Sequence, residues 1–187
     1  GFGEARIYQA SSSEMFGNQQ GKLNESSPMF PVSPYGVAKL FAHHMARVYR
    51  ESYKMFIVCG IGFNHESERR GPEFVTRKIT IAATRIKAGL QDSLELGDTT
   101  ARRDWSFAPD VMRGAHASLQ RDVPDDYVFS SGESHSVQEF VYIAFNMLAL
   151  DPAQYVKVNE KYKRPTEIME LVGDSSKAKK LIGWEPA

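Results

Sequence analysis

One stretch, MFIVCGIGF from Met55 to Phe63, constrains the fold more than any other feature of this chain. It carries no charge and does not alternate between polar and apolar residues. A run of this kind between polar segments suits a strand covered on both faces, as in a parallel sheet. It is too short to cross a bilayer. Upstream, Ser33 and Pro34 mark a helix start, a capping hydroxyl followed by proline at the first helical position. That helix should run to about Tyr53, with an apolar stripe of Val37, Leu40, Phe41, His44, Met45 and Val48. Downstream lies a dense polar cluster, Asn64 to Gly71.

The rest of the chain repeats this alternation. Ala5 to Ala10 reads as a short strand running into Ser11, Ser12, Ser13 and Glu14. Asn18 to Pro34 reads as a polar loop. Helices are expected from about Glu73 to Ala88, Pro109 to Arg121 and Val137 to Ala149, and from Asp174 or Ser175 to Gly183. Gly89 suits the residue just past a helix end, and Ser136 with Glu139 has capping-box spacing. Short strands are expected at Leu94–Gly97, Tyr127–Ser130 and Tyr155–Val158. The pattern predicts an α/β fold. In open parallel sheets ligands bind beyond the carboxyl ends of the strands. The clusters 11–14 and 64–70 fall at two such ends.

Composition narrows the function classes. The 187 residues suit one large domain or a domain and a half. Lys+Arg and Asp+Glu both total 23, so the chain lacks an overall electrostatic footprint for nucleic acid. A single cysteine, Cys59, excludes an internal disulfide framework and fits a reducing compartment such as the cytoplasm. No His, Cys, Asp and Glu set has ligand spacing, so no metal site is expected. The opening GFGEARIYQA lacks the basic-then-apolar order of a signal peptide, and no membrane segment is expected.

Tyr35 and Lys39 stand at i and i+4, on one helix face with Ala42 and Ala46. An ammonium beside a phenol favours the phenolate, and the first helical turn favours negative charge. The pair therefore reads as an acid/base unit, although Tyr-x-x-x-Lys alone also describes an exposed helix face. Ser12 could hold a substrate oxygen, and Glu14 adds a carboxylate nearby; turn serines and a solvated loop acid are the plainer readings. Together these groups suffice for proton abstraction beside a carbonyl and loss of water. Arg69, Arg70, Lys78, Arg103 and Arg164 are phosphate-contact candidates, each with the alternative of a surface charge. His65 could contact a nucleotide. Trp105 and Trp184 read as core or stacking residues.

YQASSSEMFG (8–17), SPYGVAKL (33–40), FNHESERRGPEFVTRKIT (63–80), RDW (103–105) and RPTEIMELVGDSSKAKKLIGW (164–184) together resemble the extended, nucleotide-sugar branch of the short-chain dehydrogenase/reductase superfamily. Within it the chain resembles the GDP-mannose 4,6-dehydratase family over nearly its whole length. The 63–80 run is the most particular of these motifs. The resemblance implies part of a Rossmann-like doubly wound parallel sheet plus a smaller α/β substrate-binding domain. Residues 1–66 would be the C-terminal part of the NADP-binding domain. Residues 67–187 would mostly bind the GDP-sugar, with about 108–132 returning to the first domain.

The implied reaction converts GDP-mannose to GDP-4-keto-6-deoxymannose through NADP. Ser12, Glu14, Tyr35 and Lys39 would be catalytic; Tyr35, Lys39, His65 and Arg70 would contact the cofactor. Asn64, Lys78, Arg103, Arg164 and Glu167 would contact the GDP moiety. The family usually has Thr where this chain has Ser12, and Asn where it has Asp98, so the latter is not carried over. Relatives assemble as homodimers through helices of this fold, or as homotetramers through arginine-rich loops. No glycine-rich dinucleotide turn occurs among the 14 glycines. The family's version would precede Gly1, so the chain is expected to be the C-terminal portion of the enzyme, binding NADP poorly and inactive alone. A reductase or epimerase of the same superfamily, or a non-catalytic nucleotide-sugar-binding fragment, remains an open alternative.

Overall fold

The structure, a computed structural model, describes residues 5–162 and 168–187. Elements are numbered in chain order. The chain opens with β1 (Arg6–Ser12), a 3-10 turn at Ser13–Met15, β2 (Lys22–Leu23), α1 (Pro34–Tyr53) and β3 (Phe56–Gly62). Next come β4 (Asn64–Glu66), α2 (Val75–Lys87), β5 (Leu94–Leu96), β6 (Arg102–Arg103), β7 (Trp105–Phe107) and α3 (Ala108–Leu119). Then follow β8 (Asp126–Phe129), β9 (His135–Ser136), α4 (Val137–Asn146), α5 (Pro152–Tyr155) and β10 (Val156–Val158). The last elements are β11 (Val172–Gly173) and α6 (Ser176–Ile182). The α/β class expected from the sequence is what the chain adopts.

Two compact units emerge. The first comprises residues 1–65, 104–134 and 170–187, the second 66–103 and 135–169. The tail from 170 onward belongs to the first unit, not to the second as expected from the sequence. The reason is packing: Ala178 and Trp184 are buried in one cluster with Val58, Val111, Tyr127 and Phe129. Trp184 also donates its indole N–H to the Asp110 carbonyl at 2.7 Å.

The first unit is built on a parallel sheet in the order β1-β3-β8. Ser12 pairs with Gly62, and Gly62 with Phe129, so the carboxyl ends of the three strands are in line. The apolar run is the central strand, and its continuity has a simple cause. Ile57 and Cys59 point to a cluster with Ala46 of α1, while Val58 points to the α3 and α6 cluster. Each such side chain contributes about 1.5–3 kcal/mol by leaving water. Tyr8 of β1 lies over Gly60, where an added Cβ would collide with its ring. Asp104, of the RDW motif, is fully buried. It accepts hydrogen bonds from Ser131 N and Oγ (2.7 and 2.6 Å), Gly132 N (2.9 Å) and Gly173 N (3.0 Å), tying distant segments of this unit together.

In the second unit α2 packs on α4, and β5 runs parallel to β10. Ser136 and Glu139 form the reciprocal capping box that their spacing implies, with bonds of 2.8 and 3.0 Å. α4 ends at Asn146, short of the expected Ala149, which itself turns into the left-handed region (φ 53°). The paired strands β6 and β9 were not expected from the sequence. Among the described residues no helix is long and apolar enough to cross a membrane.

α1 departs from expectation in an informative way. Its bounds agree, and Ser33 caps it through Gly36 N at 3.0 Å. Its apolar stripe, however, faces outward. Val37, Phe41, His44, Met45 and Val48 are exposed, Phe41 by 68%. The covered face carries Gly36, His43 and Ala46, flanked by Lys39 and Arg50. Small residues let this face approach the sheet, and its polar groups all find partners there, so burying them is tolerated.

Candidate active site

The carboxyl end of β1 turns into the 3-10 segment, where Ser12 caps the turn by accepting from Glu14 N at 3.2 Å. Glu14 is then tied to the start of α1: Ser33 Oγ donates to Glu14 Oε2 at 2.9 Å while accepting from Gly36 N. One hydroxyl thus caps the helix and holds the carboxylate. The approach is close. A Cβ at Gly36 would stand 2.8 Å from the Glu14 carbonyl oxygen. Gly36→Val is expected to push α1 off this turn and lower the melting temperature; unchanged melting would contradict the contact.

Tyr35, in the first turn of α1, is 52% exposed. Lys39 Nζ lies 5.6 Å from the centre of its ring and donates to the Ala10 carbonyl at 3.0 Å. The ammonium is therefore held between the phenol ring and the strand end. A phenol, an ammonium, a serine hydroxyl and a carboxylate lie on connected elements of one unit, which suffices for acid/base work on an alcohol and the adjacent C–H.

Asn64 and His65 follow the end of β3, beside the β1 end through the Ser12–Gly62 pairing. His65 Nδ1 is 2.8 Å from the Phe63 carbonyl. A carbonyl accepts only, so Nδ1 donates and a neutral ring offers Nε2 as acceptor.

Arg70, Lys78 and Arg103 lie in the second unit, each already engaged. Arg70 Nε pairs with Glu66 Oε2 at 3.1 Å, and its guanidinium carbon stands 3.6 Å over the Phe74 ring. Lys78 Nζ donates to the Glu95 carbonyl at 2.6 Å and sits 4.4 Å over Tyr162. Arg103 donates to the Arg102 and Ile168 carbonyls at 2.7 and 2.6 Å. Arg164 and Glu167 lie outside the described residues. Among the described residues no group of three or more His, Cys, Asp or Glu side chains could hold a metal ion.

Two features of the site escaped the sequence reading. Ser33 was legible as a cap but not as the partner of Glu14. His43 is 1% exposed and bonds Ser11 Oγ at 2.8 Å. The spacing Lys39, His43, Arg47, Arg50 along one helix face was the available signal.

The family model described as GDP-mannose 4,6 dehydratase matches residues 2–187. GDP-mannose 4,6 dehydratase 2 of Arabidopsis thaliana is 49% identical over 181 residues, covering 97% of this chain and 48% of the relative. GDP-mannose 4,6 dehydratase of Homo sapiens is 41% identical over 199 residues, covering 97% and 54%. The chain thus spans about half the length of the curated relatives it matches. Among solved structures, RMD from Pseudomonas aeruginosa complexed with NADPH superposes with a TM-score of 0.88 at 22% identity, covering 96% of this chain and 61% of that one. DesIV, a dTDP-glucose 4,6-dehydratase from Streptomyces venezuelae with NAD and TYD bound, gives 0.86 at 24% identity, covering 97% and 55%. These likenesses establish the Rossmann-like fold. The family match over nearly the whole sequence establishes that this chain belongs to the GDP-mannose 4,6-dehydratase family.

Proposed function

We propose that the full-length protein carrying this chain is a lyase that converts GDP-mannose to GDP-4-keto-6-deoxymannose, with NADP as its redox cofactor. The observation that carries this reading is the hydrogen-bonded link from Glu14 through Ser33 to the helix turn bearing Tyr35 and Lys39. It keeps a carboxylate and a phenol–ammonium pair on adjoining segments, and dehydration beside a ketone needs both.

The residues fit one part of a nicotinamide site. Tyr35 is open to solvent at the sheet rim, Lys39 is fixed beside it, and His65 presents a held ring. Arg70 would add a cation toward a phosphate. Bound NADP would supply reversible hydride acceptance between the hexose C4 and C6, so that the cycle would be redox-neutral.

The chain's own residues supply the proton chemistry. Tyr35 takes the proton of the 4-hydroxyl as that carbon is oxidised. Lys39 stands beside that ring, fixed by its bond to the Ala10 carbonyl. Ser12 donates a hydrogen bond to the new 4-keto oxygen. The ketone acidifies C5–H, and Glu14 removes that proton. Glu14 returns that proton to the C6 hydroxyl, which leaves as water, and Tyr35 gives its solvent-exchanged proton to C5 as C6 is reduced, so protons and electrons balance. Asn64, Lys78, Arg103, Arg164 and Glu167 would hold the GDP moiety through hydrogen bonds and charge.

Incubating the full-length protein with GDP-mannose and NADP tests this. A 4-keto-6-deoxy product supports dehydration; no conversion, with turnover of a 4-keto-6-deoxy or epimerisable sugar instead, favours a reductase or epimerase.

The exposed stripe of α1 supports a homodimer. Phe41, Val37, Met45 and Val48 continue into an apolar hollow lined by Pro31, Val32, Pro34 and Ala38. Such a surface suits a two-fold contact between copies of the helix. Phe41→Asp is expected to yield a monomer in sedimentation analysis. An already monomeric wild type would contradict the dimer. Cytoplasmic residence agrees with the single cysteine, Cys59, being free.

A further inference from the structure

α1 lies along the sheet on a face whose polar members each grip a different segment. Lys39 holds the Ala10 carbonyl, and Arg50 holds the Ile57 carbonyl at 3.1 Å and Asp126 Oδ1 at 2.8 Å. His43, between them, has no part in the chemistry above, yet it is almost wholly buried. Its Nδ1 is 2.8 Å from Ser11 Oγ, and its Nε2 is 3.7 Å from Asp126 Oδ2.

The charged and titratable groups around the ring are Asp126 of β8 and Arg47, Arg50 and His44 of α1, and Cys59 of β3 faces Asp126. Burial lowers the pKa of the imidazole, and Asp126 only partly opposes this. A neutral ring carries one N–H. With a carboxylate on the Nε2 side, that proton belongs on Nε2, and Nδ1 accepts from the Ser11 hydroxyl.

Ser11 precedes Ser12, and successive strand side chains point to opposite faces. Fixing the Ser11 hydroxyl on the α1 side therefore turns Ser12 the other way and sets the start of the turn that carries Glu14. His43 is also i+4 from Lys39, so the two grip consecutive residues, Ser11 and Ala10.

We propose that His43 is a positioning residue for the reaction: through Ser11 it locks the end of β1, with Ser12 and Glu14, in register with the helix turn that carries Tyr35 and Lys39. The inference rests on the reading that those four residues perform the dehydration. A misplacement of order 1 Å at such a site costs about 100-fold in rate.

The test uses the full-length protein with GDP-mannose and NADP. His43→Phe keeps the ring volume without the nitrogen, and kcat is expected to fall about 100-fold with KM changed less than about threefold. His43→Asn places an amide where Nδ1 stood and should recover most of that loss. Ser11→Ala, which removes only a hydroxyl, should slow turnover in the same way. The double variant Ser11→Ala with His43→Phe should be no slower than the slower single one, because both break one contact. In imidazole nitrogen NMR of the wild type at neutral pH, His43 should be protonated on Nε2 alone, and Ser11→Ala should shift its Nδ1 resonance. Wild-type kcat in His43→Phe, equal losses in His43→Asn and His43→Phe, or a loss in KM alone would overturn the inference. A wild type that converts no GDP-mannose sinks the functional reading and this inference with it, whereas an active wild type with an equally active His43→Phe variant sinks the inference alone.

Discussion

Tyr35→Phe is expected to lower turnover of GDP-mannose by about 10²–10⁴-fold, the range for losing a positioned acid/base group. The substitution removes one oxygen and leaves the ring beside the Lys39 ammonium, 5.6 Å from its centre. Lys39 keeps its bond to the Ala10 carbonyl, so the strand end is not released. Substrate affinity should therefore stay within about threefold, because the lost interaction is made chiefly as the proton moves. Steady-state kinetics with a direct measurement of GDP-mannose binding separates the two. A loss of less than about tenfold in kcat would mean that another group takes the 4-hydroxyl proton.

Asp126→Ala is expected to cost about 3–5 kcal/mol of stability at neutral pH, as removing one partner of a buried ion pair does. Asp126 is nearly buried, and Arg50, also largely covered, lies 2.8 Å away. Removing the carboxylate strands the guanidinium and leaves His43 without its acidic neighbour. The effect should depend on pH with a definite sign. Burial alone would raise the Asp126 pKa, but the hydrogen bond and charge of Arg50, together with His43, outweigh it and hold the carboxyl below its ordinary range. A carboxyl that ionises more readily in the folded chain stabilises the fold above its unfolded pKa, about 4. That contribution is lost as pH falls through the lower folded value. The gap between wild type and variant, read from denaturant midpoints at constant slope, should be full at pH 7 and narrow below about pH 4. An equal gap at both ends would remove the carboxylate from the explanation.

Much of the fold was legible because its signals were local. The MFIVCGIGF run could be little other than a strand buried on both faces, and Ile57, Val58 and Cys59 divide between the two. The Ser136–Glu139 spacing produced its capping box, and Gly89 and Gly183 end their helices at positive φ. The illegible parts depend on partners far along the chain. β6 and β9 hold two residues each and exist only through their pairing. The orientation of α1 could not be read from its apolar stripe. Lys39, His43 and Arg50 look like solvent residues in the sequence, yet they face the sheet because Ala10, Ser11 and Asp126 lie beneath them. The stripe of Phe41 and its neighbours is left outside.

The site divides in the same way. Tyr35, Lys39, Ser12 and Glu14 stood out as residue types at a strand end and a helix start. The Ser33 bond to Glu14 and the His43 bond to Ser11 did not, because each joins segments that the fold alone brings together.

The central claim is that Tyr35 and Glu14 remove protons from C4–OH and C5 of one hexose so that water departs. The most direct measurement is mass and NMR analysis of the sugar after the full-length protein has acted on GDP-mannose with NADP in deuterated water. The expected product is a ketone that has lost one water and carries one solvent deuterium at C5, absent from reactions with Glu14→Gln. A product that retains the C6 oxygen, or one with no deuterium at C5, would contradict it.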